Sequence, residues 1–209
     1  MKSPMMYIFS MIMGVNIMQP VIASEHAEDA SNSTMALLDF KNPGDLIDWR
    51  IVNDGVMGGL SQGEIHMTED HTAVFQGNLS LSNNGGFSSA RTFPRLYNLA
   101  NHKGIVVHLK GDGKQYQLRL RTDDGFDGIS YRHNISTKRD EWITIFATFG
   151  NFVPVFRGRV MKDVEPLAPD KIQQVGFLIS DKQAGPFRLE VDWIKAYKND
   201  SDPDADATK

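Results

Sequence analysis

The chain has 209 residues, 41% of them hydrophobic and 23% charged, a balance that suits one β domain with short appendages and a sizeable core and excludes a wholly disordered chain. Its formal net charge is -4 with no block of Lys or Arg, which argues against nucleic acid or an anionic membrane surface as partner. It contains no cysteine, so disulfides, thiolate metal sites and thiol nucleophiles are excluded.

Residues 1–23 open with one cation, Lys2, continue through an apolar run from Met5 to Val15, break at Pro20 and end on Val21-Ile22-Ala23. That order predicts a signal peptide cleaved near Ala23, and hence an exported protein, periplasmic or secreted. Asn16, Gln19 and Pro20 interrupt the stretch well short of the ~20 apolar residues of a membrane helix, so no transmembrane span is expected after cleavage. A flexible acidic segment (24–36), a β domain (37–197) and a disordered acidic tail (198–209) follow. The tail alternates Asp but lacks the Gly turn and closing Glu of a calcium loop.

Within the domain, period-two alternation punctuated by Gly, Asn, Asp and Pro predicts antiparallel strands with one core face and one wet face. Strands are expected at 72–82, 104–110, 114–121, 128–136, 141–147, 173–180 and 187–193. From Lys114 to Arg121, Tyr116, Leu118 and Leu120 face one way while Gln115, Gln117, Arg119 and Arg121 face the other. From Phe187 to Trp193 the odd-numbered apolar residues alternate with Arg188, Glu190 and Asp192. Helical periodicity is almost absent apart from a turn near Pro169–Gln173. Strands at this spacing predict an all-β, jelly-roll β-sandwich.

Two glycine-rich segments stand out. Asn53-Asp54-Gly55 favours a turn with positive φ, and Gly58-Gly59, close to Met57 and Ser61, permits a tight backbone bend. Asn84-Gly85-Gly86 forms a second such turn, followed by Phe87 and Arg91. These residues are read as structured loops. With Phe75–Leu81, Gly111–Tyr116, Phe156-Arg157-Gly158, Ile172–Leu178 and Asp181–Val191, they resemble, in order, the landmarks of the complex I intermediate-associated protein 30 (CIA30) family. The resemblance covers roughly residues 38–197. It implies a galactose-binding-domain-like fold and a family that helps mitochondrial complex I assemble by holding intermediates without catalysis. The family's mitochondrial members act in the matrix, so an exported chain leaves the client open.

No catalytic constellation accompanies these motifs. The six histidines sit in tails, turns or strands without a nucleophile-elbow sequence or helical metal spacing. Gly111-Asp112-Gly113 lacks the helix and third glycine of a pyrophosphate cradle. No enzyme activity, cofactor or metal is therefore expected. The most suggestive surface is the wet side of residues 114–121, where Gln115, Gln117, Arg119 and Arg121 form a row suited to carboxylates or sugar hydroxyls, since Arg offers planar, forked hydrogen bonds. Phe87, Arg91, Tyr131 and Arg157 are expected to border it. The expected partner is a protein client, such as a respiratory-complex assembly intermediate, engaged by a chaperone-like module in the cell envelope; the alternative is a glycan bound by a carbohydrate-binding module. Sugar platforms need exposed Trp or Tyr, and Trp49, Trp142 and Trp193 all read as core, which favours a protein client.

Overall fold

The computed structural model describes residues 34–41 and 43–198; the expected leader and most of the two flanking segments lie outside them. The strands are β1 (Thr34–Leu38), β2 (Trp49–Asn53), β3 (Gln62–Met67), β4 (Ala73–Leu79), β5 (Ser88–Thr92), β6 (Gly104–Gly111), β7 (Gln115–Arg121), β8 (Ser130–Ser136), β9 (Trp142–Thr148), β10 (Val153–Phe156), β11 (Arg159–Val160), β12 (Gln174–Ile179) and β13 (Gly185–Tyr197). One sheet has the order β3-β4-β13-β6-β9, with β1 also paired to β13. The other has the order β11-β10-β8-β7-β12-β5-β2. The pairings between these strands are all antiparallel.

The two sheets enclose one apolar core, the jelly-roll sandwich that the alternation predicts. Tyr116, Leu118 and Leu120 of β7 have no exposed surface and meet Val175, Phe177 and Ile179 of β12 and Ile105, Val107 and Leu109 of β6 in the same cluster. Trp49 stacks on Phe177 with ring centroids 6.4 Å apart, and Phe75 meets Phe187 edge-on at 4.9 Å. All seven predicted strands form, with ends shifted by a few residues, and the expected turn is a 3-10 turn at Pro169–Lys171. The shortest elements, β10 with four residues and β11 with two, are too short for alternation to mark them.

The alternation of β13 fails at one place. The pairing with β6 shifts register between Val191 and Trp193, so an extra residue enters the strand and every side chain beyond it changes face. Phe187, Leu189 and Val191 point into the core before the bulge, and Ile194 and Ala196 do so after it. Trp193 is thereby turned outward, opposite His108, and Trp142 stands exposed on the neighbouring strand. The indoles flank the His108 ring at 4.9 and 5.5 Å, with the ammonium groups of Lys110 and Lys195 over them. Of the three tryptophans expected in the core, only Trp49 is there.

The two glycine-rich loops are knotted by a buried carboxylate. Asp54, 1% exposed, accepts hydrogen bonds from the Ser61 hydroxyl (2.5 Å) and from the backbone N–H groups of Ser61 (2.9 Å), Gly86 (2.6 Å) and Phe87 (3.3 Å). A Cβ on Gly59 would lie 2.3 Å from the Asp54 Cγ, and one on Gly85 2.5 Å from its Oδ2, so both positions exclude larger residues. The positive φ expected at Asn53–Gly55 falls instead at Gly58 (88°), because Asp54–Met57 winds into a 3-10 turn. The second loop has positive φ at Asn83, Asn84 and Gly86. Gly86→Val is expected to lower stability by about 1–3 kcal/mol, since φ of 125° is hostile to a β-branched residue. Urea denaturation checks this, and an unchanged midpoint would show that the loop tolerates the strain.

Candidate functional site

The outward face of the seven-stranded sheet carries a row of arginines that crosses five strands. In register, Arg50 of β2 lies opposite Arg91 of β5, Arg91 opposite Gly176 of β12, Gly176 opposite Arg119 of β7, and Arg119 opposite Arg132 of β8. Arg121 stands two residues along β7 from Arg119, on the same face. Like charges opposite one another weaken a sheet. Yet among the described residues none of these five guanidiniums forms an ion pair within 4.0 Å.

Four of the guanidiniums, those of Arg50, Arg91, Arg119 and Arg121, are held by neutral groups instead. Arg119 donates from Nε and Nη2 to Gln117 Oε1 and from Nη1 to Ser130 Oγ, at 3.0, 2.5 and 2.6 Å. Gln117 in turn donates from Nε2 to Asp181 Oδ2 at 3.0 Å, which fixes the oxygen toward Arg119. Arg91 donates to the Phe126 carbonyl (2.6 Å) and Arg121 to that of Gly128 (3.0 Å), both in the loop between β7 and β8. Arg50 donates to Gln174 Oε1 at 3.1 Å. The Phe126 ring lies 5.3 Å from the Arg50 guanidinium and 5.0 Å from that of Arg91. The Nε atoms of Arg50 and Arg91 are buried without a hydrogen-bond partner.

Burial first, and then repulsion from Arg121 and Arg50, pull the Arg91 guanidinium down to about 10. Burial, Arg132 and Arg121 bring Arg119 to about 10 as well, and burial lowers Arg121 despite the softening fields of Asp123 and Asp127. A base whose folded value is depressed is destabilising while charged, so these always-charged cations strain the folded state at neutral pH. An anion placed among them relieves it at neutral pH.

Gly176 leaves a gap in the row between Arg91 and Arg119. The gap is a recess of about 40 Å³, lined by Arg91, Arg119, Arg121, Ser89, Ser130 and Leu178 and floored by the glycine. Glycine is required there by the close approach of β5: a Cβ would lie 2.5 Å from the Ala90 carbonyl oxygen and 2.6 Å from the Arg91 Cβ.

The residues singled out in the sequence distribute unevenly around this recess. Arg91, Arg119 and Arg121 line it. Gln117 is buried, 3% exposed, and acts by orienting Arg119 rather than by projecting into solvent. Gln115 is exposed at the start of β7, where its backbone exchanges hydrogen bonds with the Gln183 side chain. Arg157 lies in the β10–β11 turn and is ion-paired to Asp127, which ties that turn to the β7–β8 loop. Phe87 is half-buried at the head of β5, its N–H on Asp54. Tyr131 does not border the face: it pairs with Leu120, so its ring enters the core, and its hydroxyl donates to the Glu165 carbonyl at 3.0 Å. Arg50, Arg132 and Gly176 were missing from the sequence reading; only the pairing of strands distant in sequence aligns them.

A larger depression of about 700 Å³ lies on the six-stranded sheet, bounded by Glu64, Asp112, Lys114, Arg139 and Arg188. Most of its polar groups are occupied with one another: Lys114 Nζ donates to the Gln183 and Ala184 carbonyls, Asp112 accepts from Tyr116 and the Arg188 N–H, and Arg188 bonds Gln76 and Glu190. The smaller recess differs in that three arginines line it with no Asp or Glu among its lining residues. No three His, Asp or Glu side chains gather to hold a metal ion among the described residues, and no described helix is long and apolar enough to cross a membrane.

Among solved structures, the family 11 carbohydrate-binding module from Clostridium thermocellum, in complex with a β-1,3-1,4-mixed-linked tetrasaccharide, is similar in fold, with a TM-score of 0.59 at 17% identity over 79% of this chain and 95% of that one. The mitochondrial complex I intermediate-associated protein 30 of Mus musculus is 28% identical over 76% of this chain and 54% of its own length. Its Neurospora crassa counterpart is 21% identical over 87% of this chain and 79% of its own length. The chain thus spans about half the length of the mouse relative. The expectation of export, periplasmic or secreted, is overturned by these relatives, which are named as mitochondrial proteins. The family model for complex I intermediate-associated protein 30 matches residues 38–191, nearly the whole sandwich, and the chain belongs to that family.

Proposed function

We propose that the chain is a non-catalytic protein-binding domain with an assembly-factor-like role toward complex I intermediates, and that the arginine row is its contact surface. The observation that carries this reading is the row itself: five guanidiniums on one sheet face, four of them oriented by neutral groups and none ion-paired to a carboxylate. A client with acidic side chains supplies the missing charge, and electrostatic complementarity of this kind fixes register and partner choice. The names of the relatives in the family suggest the client class.

The glycan reading has less support. Trp142 is exposed and Trp193 half-buried on the outer surface, contrary to expectation, but they stand on the opposite sheet. On the arginine face, Phe126 is already engaged by Arg50 and Arg91.

Crosslinking of the full chain in its native cells, followed by identification of captured subunits, tests the proposal. Complex I subunits are expected among the captured proteins, and Arg119→Ala with Arg121→Ala is expected to reduce their yield about tenfold, with capture weakening as salt is raised. Capture that lacks complex I subunits overturns the client, and undiminished capture by the double variant overturns the surface.

A further inference from the structure

We propose that the recess over Gly176 is a preformed oxyanion site that takes one carboxylate or phosphate-type group between Arg91, Arg119 and Arg121. The inference deepens the proposed function and rests on the same face, but it concerns the ligand chemistry of one pocket rather than the identity of a client.

Three observations carry it. First, three cationic side chains bound the recess with no carboxylate in its lining: Asp127 pairs with Arg157, Asp181 accepts from Gln117 and Asp123 accepts the Gly125 N–H, so these carboxylates act on the arginines only through their fields. Second, the donors are held in place before any ligand arrives. Three of the five N–H donors of Arg119 are fixed by Gln117 and Ser130, which orients the remaining two, and Arg91 is 8% exposed with its Nε unpartnered. A buried donor left unpaired carries a desolvation penalty that a ligand oxygen removes. Third, the size suits a group rather than a molecule. About 40 Å³ is far below the roughly 300 Å³ at which whole small-molecule pockets begin, so a pyranose ring does not fit while a planar or tetrahedral oxyanion head does. Forked guanidinium donors match carboxylate and phosphate oxygens in pairs, a geometry that ammonium groups do not offer.

The shared chemistry has two sources, an acidic side chain of a protein client or a small free anion. The full chain is titrated with inorganic phosphate, acetate and an acetyl-capped diglutamate peptide, each at constant ionic strength maintained with sodium chloride, and backbone amide shifts are followed by NMR. The expected result is saturable shifts centred on Arg91, Arg119 and Gly176, weakened at least tenfold in Arg119→Gln and unaltered in Lys138→Ala, which removes a cation outside the recess lining that pairs with Glu141 between β8 and β9. Tighter binding of the peptide than of phosphate assigns the site to a client's side chain, and the reverse order assigns it to a free anion; both support an oxyanion site. Should Arg119→Gln fail to fold, Arg119→Lys keeps the charge and loses the fork, and several-fold weaker binding is expected. Shifts no larger than chloride alone produces, or equal affinity in the folded variants and the parent, overturn the proposal. Oxyanion binding without complex I capture would sink the client reading alone; capture by a protein that binds no oxyanion would sink this one alone.

Discussion

Replacing Asp54 with alanine is expected to destabilise the domain by about 3–5 kcal/mol, near the upper end for a single substitution, because it strands several buried donors at once. The carboxylate is the only group that the Gly86 N–H, the Ser61 N–H and the Ser61 hydroxyl share, and through them it joins the loop after β2 to the loop before β5. The Ser61 hydroxyl oxygen also accepts the Ser80 N–H, so the loss propagates to the end of β4. Asp54→Asn keeps the shape but sets an NH2 group against one of these donors, and should recover only part of the loss.

The pH dependence provides an independent signature. Burial pushes the Asp54 carboxyl upward, but the Ser61 hydroxyl and the N–H groups of Gly86, Ser61 and Phe87 outweigh it and hold the group below its ordinary value. The unfolded chain therefore binds the proton first as pH falls. The contribution is fully present above the unfolded value of about 3.9 and disappears as pH drops through the folded value. Urea denaturation at pH 7 and at pH 3 should show a wide gap between parent and Asp54→Ala at neutral pH that narrows in acid. A loss below about 1 kcal/mol at pH 7 would mean that the loops hold each other by other contacts.

The second large effect is expected at Leu118, on the core face of the strand whose other face carries the arginines. Leu118→Ala should lower stability by about 2–5 kcal/mol, since it removes buried methyl groups and leaves a cavity in a packed interior. Arg119→Ala with Arg121→Ala, one residue away on either side of Leu120, should change stability by no more than about 1 kcal/mol, because the lost hydrogen bonds are offset by relief of repulsion. Parallel urea denaturation of both variants decides it. If the double variant unfolds instead, the arginines are structural members of the sheet and the face is not a site. If Leu118→Ala is mild, the sandwich core is looser than its packing implies.

The two faces of β7 show how much of the molecule is written locally. Period-two alternation assigned Tyr116, Leu118 and Leu120 to the core because a pleated strand has no other way to separate apolar from polar side chains. The same rule failed at Trp193, where a bulge changes face within a strand that shows no break in composition. It also failed at Trp142, where an aromatic in a strand reads as core but lies beside His108 on the outside. Tyr131 was misplaced for a related reason: its strand was predicted, but its parity relative to β7 is set by pairing with Leu120, which no local pattern records.

What the sequence alone determined is the sandwich, its central strands and the presence of two glycine-dependent loops, since each follows from residues adjacent in the chain. The ordered motifs carried the family resemblance as well. The candidate site was decided by tertiary structure. Two arginines on one strand are visible in the sequence, but the row that includes Arg50, Arg91 and Arg132, and the gap at Gly176 that makes room for a ligand, arise from the registers of β2, β5, β12, β7 and β8. Those strands are separated by up to 124 residues, as the Arg50–Gln174 hydrogen bond shows, and register over such separations is fixed by burial across the whole sheet. The absence of carboxylates from the row is likewise a property of the folded surface, because Asp123, Asp127 and Asp181 are near in sequence or space and are turned to other partners by the loops that carry them.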